Sequence, residues 1–67
     1  MRISYNKLWK MLIDKNMKKS DLKEKAGISS ASIAKLGKGD NITTDVLIKI
    51  CESLDCYLED IMETVDD

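Results

Sequence analysis

At five places where a helix could begin, an apolar residue stands five positions ahead of another: Ile3 and Leu8, Met17 and Leu22, Ile28 and Ile33, Ile42 and Leu47, Cys56 and Ile61. That interval is the hydrophobic staple, in which the residue before a helix cap packs on the fourth helical residue and fixes how the chain enters the helix. Ser4, Ser29 and Thr43 fill the cap position in three of the pairs and offer a side-chain oxygen to the unpaired amides of a first turn. Lys18 and Tyr57 fill it in the other two and are poor caps; at the second helix, Ser20 with Asp21 provides a better local start about two residues later. Five short helices are expected, and 67 residues leave room for little else.

The apolar spacing within each segment is helical. Tyr5, Leu8 and Leu12 share one face of the first helix, Leu22 and Ala26 one face of the second, and Ile33 and Leu36 one face of the third. Val46, Leu47, Ile50 and Leu54 do the same for the fourth. Trp9 and Ile13 fall beside the main face of the first helix and are expected to pack against the C-terminal segment. Gly27 and Gly37 stand where a chain leaves a helix through left-handed backbone, and Gly39 loosens the link to Asn41. Residues 64–67 are expected to fray. With no Pro and much Leu, Ile, Lys and Glu, the chain favours helices over strands. The expected class is all-α, one compact domain whose folding buries only about 60% of the unfolded chain's surface and so depends on local contacts.

Several functions are disfavoured by what the chain lacks. Two cysteines, Cys51 and Cys56, are too few for a disulfide framework, and without His they make a poor metal set, so they read as small, mostly buried apolar residues. There is no Cys-His or Ser-His pair and no phosphate-cradling glycine loop, and neither catalysis nor a cofactor is expected. No apolar run approaches the roughly 20 residues of a membrane span, and the N-terminus lacks the apolar segment of a signal peptide. A soluble, cytoplasmic protein with no membrane contact is the expectation.

The net charge of −1 conceals a polarity. Residues 1–39 carry ten Lys or Arg against Asp14, Asp21 and Glu24, a net of +7; residues 40–67 carry Lys49 against nine Asp or Glu, a net of −8. A domain with one basic end can attract a phosphate backbone while its acidic end points away. Within the basic half, residues 17–39 read as two short helices around a tight turn at Gly27, the layout in which a second helix enters a major groove.

The run spelled by Met17, Leu22, Ala26, Gly27, Ile28, Ser29, Ile33, Leu36 and Gly39 resembles the Cro/cI-type helix-turn-helix family of bacterial and phage repressors. Ile42, Thr43, Leu47, Ile50, Leu54 and Ile61 are similar to that family's fourth and fifth helices, so the resemblance covers about residues 3–63. It implies a five-helix, lambda-repressor-like DNA-binding domain with the helix-turn-helix over about residues 18–37. Matched position by position, it implies base reading by Ser30, Ala31 and Lys35, with Ser32 close to the same face. It implies phosphate contacts by Lys18 and Lys19 at the start of the second helix, by Ser29 at the cap of the recognition helix and by Lys38 after it. The chemistry agrees: a Ser hydroxyl serves a base edge in either sense, Ala packs on a thymine methyl, and Lys reaches the acceptors of guanine. Arg2 adds charge at the N-terminal arm.

Two residues depart from the family pattern. Lys23 replaces a small residue near the helix crossing and must lay its stem along the surface with its ammonium in water. Gly37 replaces an acidic residue common in the family, and is expected to shorten the recognition helix and free Lys38. Short side chains at Ser30, Ala31 and Ser32 leave part of the specificity to DNA shape or dimer spacing. The family usually binds as a two-fold dimer, which here implies a homodimer through the C-terminal half, about residues 43–65, with Leu58, Met62 and Val65 as its apolar residues. The implied function is a sequence-specific double-stranded DNA-binding transcriptional regulator, a repressor acting at an operator. The alternative is a protein-interaction module of antirepressor or antitoxin type on the same scaffold, with the acidic half as its contact surface.

Overall fold

The computed structural model describes residues 1–66; Asp67 lies outside the described residues. In chain order it contains β1 (Arg2–Ser4), α1 (Asn6–Asp14), α2 (Lys19–Ala26), α3 (Ser30–Lys38), α4 (Thr44–Leu54), a single 3₁₀ turn (Leu58–Asp60) and β2 (Glu63–Val65). The two strands form an antiparallel ribbon in which Arg2 faces Val65, Ile3 faces Thr64 and Ser4 faces Glu63.

The four α-helices bury the faces that the spacing indicated. Leu8 and Leu12 from α1, Leu22 from α2, Leu36 from α3, and Leu47, Ile50 and Leu54 from α4 meet Tyr5, Ile28 and Ile61 in one core. Leu8, Leu22, Ile50 and Ile61 have no exposed surface at all. Each such side chain removed from water contributes about 1.5–3 kcal/mol.

All four helices end by one device. The backbone turns left-handed at Asn16, Gly27, Gly39 and Asp55. The next amide then reaches back five residues: Met17 to the Leu12 carbonyl (2.8 Å), Ile28 to Lys23 (3.1 Å), Asp40 to Lys35 (2.9 Å) and Cys56 to Cys51 (3.0 Å). This is the Schellman closure, which also brings the residues at its two ends together. Cys51 and Cys56 are such a pair, and both are half-buried free thiols. Burial pushes the Cys56 thiol up to about 11, helped by the adjacent Cys51 thiol and the Asp60 carboxylate, and burial also raises Cys51.

The fold corrects five expectations. The fifth helix is one 3₁₀ turn: Tyr57 supplies no cap, and although Asp60 accepts the Tyr57 amide at 2.9 Å, the chain must become extended by Glu63 to pair with β1. For the same reason Thr64 and Val65 do not fray; they form β2. Ser4 is a buried strand residue and not a helix cap, α1 being entered from Tyr5, although the Ser4 hydroxyl accepts the Asn6 amide at 3.3 Å. Gly37 does not end α3: Gly39 takes the left-handed turn, so the helix runs to Lys38. Ile13 is 75% exposed and stands outside the core, off the buried stripe of Leu8 and Leu12.

Candidate nucleic-acid interface

The helix-turn-helix unit is built by local hydrogen bonds. Lys18, in extended conformation, leads into α2, and its amide donates to the Asp21 carboxylate at 2.9 Å. Asp21 is therefore an internal first-turn acid, and the helix starts ahead of the Ser20 start considered from sequence. At the other end Gly27 adopts φ +67°, and its amide and that of Ile28 share the Lys23 carbonyl. Ile28 is buried and pins the turn to the core. Lys23 is exposed in the last turn of α2, where a cation suits the carbonyl end of the helix.

Ser29 then opens α3. Its hydroxyl oxygen accepts the Ser32 amide at 3.1 Å, and its O–H donates to the Ser32 hydroxyl oxygen at 3.1 Å. The first turn of α3 holds no acid, and the helix's two charges are Lys35 and Lys38 in its last turn. The positive end of the α3 dipole is thus uncompensated and faces outward.

The candidate residues fall on this unit as follows. Ser30, Ala31 and Lys35 are exposed, and Ser32 is half-buried against Ser29. Ala31, Lys35 and Lys38 follow at intervals of four and three, so they lie along one stripe of α3, with Leu36 turned to the core. Lys18, Lys19, Ser29 and Lys38 are all exposed: the first two at the start of the unit, Ser29 at the turn between its helices and Lys38 at its end.

Lys19 is more closely engaged than sequence reasoning anticipated. Its ammonium sits 4.6 Å from the centre of the Trp9 ring. A methyl group placed on Gly37 would lie 3.6 Å from the same nitrogen. The start of α2 is therefore brought against the last turn of α3, one residue from Lys38. Trp9 packs against the core, which includes Ile61 of the C-terminal segment, and its ring also meets α2. It is half-buried beneath Lys19 and helps line a notch of about 160 Å³ between β1 and the end of α3, with Arg2, Ile3, Gly37 and Lys38 among its walls. No spacing rule could find this contact, because Trp9, Lys19 and Gly37 come from three different helices. The only sequence signal was Gly37 itself, a glycine inside an otherwise regular helix.

Among the described residues no group of three His, Cys, Asp or Glu is placed to hold a metal ion. No helix among them is long and apolar enough to cross a membrane.

Comparison with known proteins places this geometry. The chain is similar to the crystal structure of the transcriptional regulator VanUg (Form II), with a TM-score of 0.94 and 52% identity over 98% of this chain and 88% of that one. No curated protein sequence matches. The family profile described as the Cro/C1-type HTH DNA-binding domain matches residues 7–67. With four α-helices, a helix-turn-helix formed by α2 and α3, and a match over nearly its whole length, the chain belongs to the Cro/C1-type helix-turn-helix DNA-binding domain family.

Proposed function

We propose that this protein is a transcriptional regulator that binds double-stranded DNA sequence-specifically and represses by occupying an operator. In this reading α3 enters the major groove; Ser30, Ala31, Ser32 and Lys35 face base edges, and Lys18, Lys19, Ser29 and Lys38 contact phosphates on either side. The observation that carries it is the exposed surface of α3, which has a capped N-terminus, two Lys residues and no acidic side chain. Two copies on a palindrome would set their recognition helices about 34 Å apart. They would meet through the C-terminal half, where Leu58 is exposed and Met62 and Val65 are half-buried.

The test is duplex binding measured across a salt series. Affinity should fall steeply as salt rises, and no binding to any duplex at low salt would end the proposal. Lys35→Ala should reduce discrimination between sites, whereas Lys38→Ala should weaken all sites alike and lower the salt slope by about one. Equal behaviour of the two variants would reject the division of roles.

One observation favours a protein-binding role beside this one. Tyr57 is 75% exposed and Leu58 44% exposed, flanked by the carboxylates of Asp55, Glu59 and Asp60. A Glu59→Lys substitution should then disrupt a protein complex while leaving DNA affinity intact. If complex formation is untouched, that surface is not the contact.

A further inference from the structure

Lys19 is a long, exposed side chain, which in water samples many rotamers before it meets a phosphate. Three features of the fold restrict it. The Trp9 face, electron-rich at its centre, lies 4.6 Å beneath the ammonium. The last turn of α3, where backbone carbonyls concentrate negative potential, lies beside it. Position 37 carries neither bulk nor charge, and a methyl there would meet the nitrogen in ordinary van der Waals contact at 3.6 Å, so the ammonium lies directly against this turn of the helix.

We infer that Trp9 and Gly37 are positioning residues for DNA binding: together they hold the Lys19 ammonium beside the end of α3, so that Lys19 and Lys38 form a preset pair for one stretch of phosphate backbone. The inference rests on the DNA-binding reading above and names what organises its clamp. A ring engages only one side of an ammonium, so N–H donors remain for a phosphate. A carboxylate at position 37 would instead pair with Lys19 and cancel the charge that the pair supplies.

The ring contact can be read without DNA. The chain has a single Trp, so its fluorescence reports this ring alone. Lys19→Ala in the free protein should change the emission of Trp9 while circular dichroism stays unchanged; identical emission would overturn the contact. Binding is then measured on a mixed-sequence duplex of about 20 base pairs at low salt, long enough for two turns. Trp9→Leu should weaken binding by about two- to fivefold, and Trp9→Phe, which keeps an aromatic face, should recover most of the loss. In a Lys19→Ala background Trp9→Leu should cost nothing further, because the residue it positions is gone.

Gly37→Glu should weaken wild-type binding by more than it weakens binding of the Lys19→Ala protein. Equal costs in the two backgrounds, for either substitution, would assign Trp9 and Gly37 a merely structural part and overturn the inference while leaving DNA binding standing. Absence of duplex binding by the wild-type protein would instead remove the DNA-binding reading, and the inference with it.

Discussion

The first turn of α3 allows stability and DNA affinity to be driven in opposite directions by one substitution, Ser32→Glu. Ser29 is the cap and Ser32 the third helical residue, and the Ser32 amide already donates to the Ser29 hydroxyl at 3.1 Å. A carboxylate at position 32 would complete the reciprocal half of a capping box by accepting the Ser29 amide, and would oppose the uncompensated helix dipole. The neighbouring helix already uses half of this arrangement, with Asp21 accepting the Lys18 amide at 2.9 Å. The gain expected is about 0.5–1 kcal/mol, which raises Tm by about 2–8 °C in a domain of this size. The same carboxylate, facing a phosphate at about 6 Å through an effective dielectric of about 40, is repelled by about 1.4 kcal/mol, or tenfold in affinity. Thermal denaturation and fluorescence anisotropy on one protein sample give both numbers. A stabilised variant that binds DNA as tightly as wild type would refute the placement of the α3 N-terminus against the backbone. A destabilised variant would refute the capping argument.

Three further outcomes follow from the fold. Gly37→Ala, at a helical and exposed position where the added methyl meets only the flexible end of Lys19, should stabilise the protein by about 0.5–1 kcal/mol in chemical denaturation; a loss would mean the site is tighter than its 3.6 Å clearance. Ile61→Ala should cost about 2–5 kcal/mol, because Ile61 is fully buried despite following only a single 3₁₀ turn; a cost under 1 kcal/mol would show that the C-terminal segment is not part of the core. The Cys56 thiol, raised to about 11, should react slowly with iodoacetamide at pH 8. Since its folded value lies above the unfolded one, its contribution to stability is complete below about pH 8.5 and lost as pH rises towards 11. Rapid alkylation of the native protein at pH 8 would contradict this.

The helix-turn-helix was legible because its determinants are local. Ser29 and Thr43 cap the helices they precede, Gly27 makes the turn, and Leu22, Leu36 and Leu47 fall on the buried faces, all within reach of a short sequence window. The ribbon was not legible: each strand is three residues long, and the partners come from opposite ends of the chain, so no alternation is long enough to register. The false fifth helix has the same origin, since the Cys56 and Ile61 pair does meet the core but the ribbon claims the residues beyond it. Gly37 does not mark the helix end because glycine does so only where positive φ is needed, and Gly39 meets that need two residues later. At the candidate interface, exposure of Ser30, Ala31 and Lys35 followed from helical phase, whereas the seat of Lys19 on Trp9 depends on how α1 and α2 dock.

The repeated left-handed ending of the four helices bears on how the chain folds. Each ending is specified by about six consecutive residues, so α1 to α4 can be delimited on the timescale of local loop closure, before any of them has found its neighbour. The ribbon between positions 2 and 65 must instead close nearly the whole chain as a loop, and it carries a larger entropic penalty than any helix ending. It should therefore form last, with helix–helix docking setting the folding rate, and substitutions in Ile3 or Val65 should accelerate unfolding more than they slow folding.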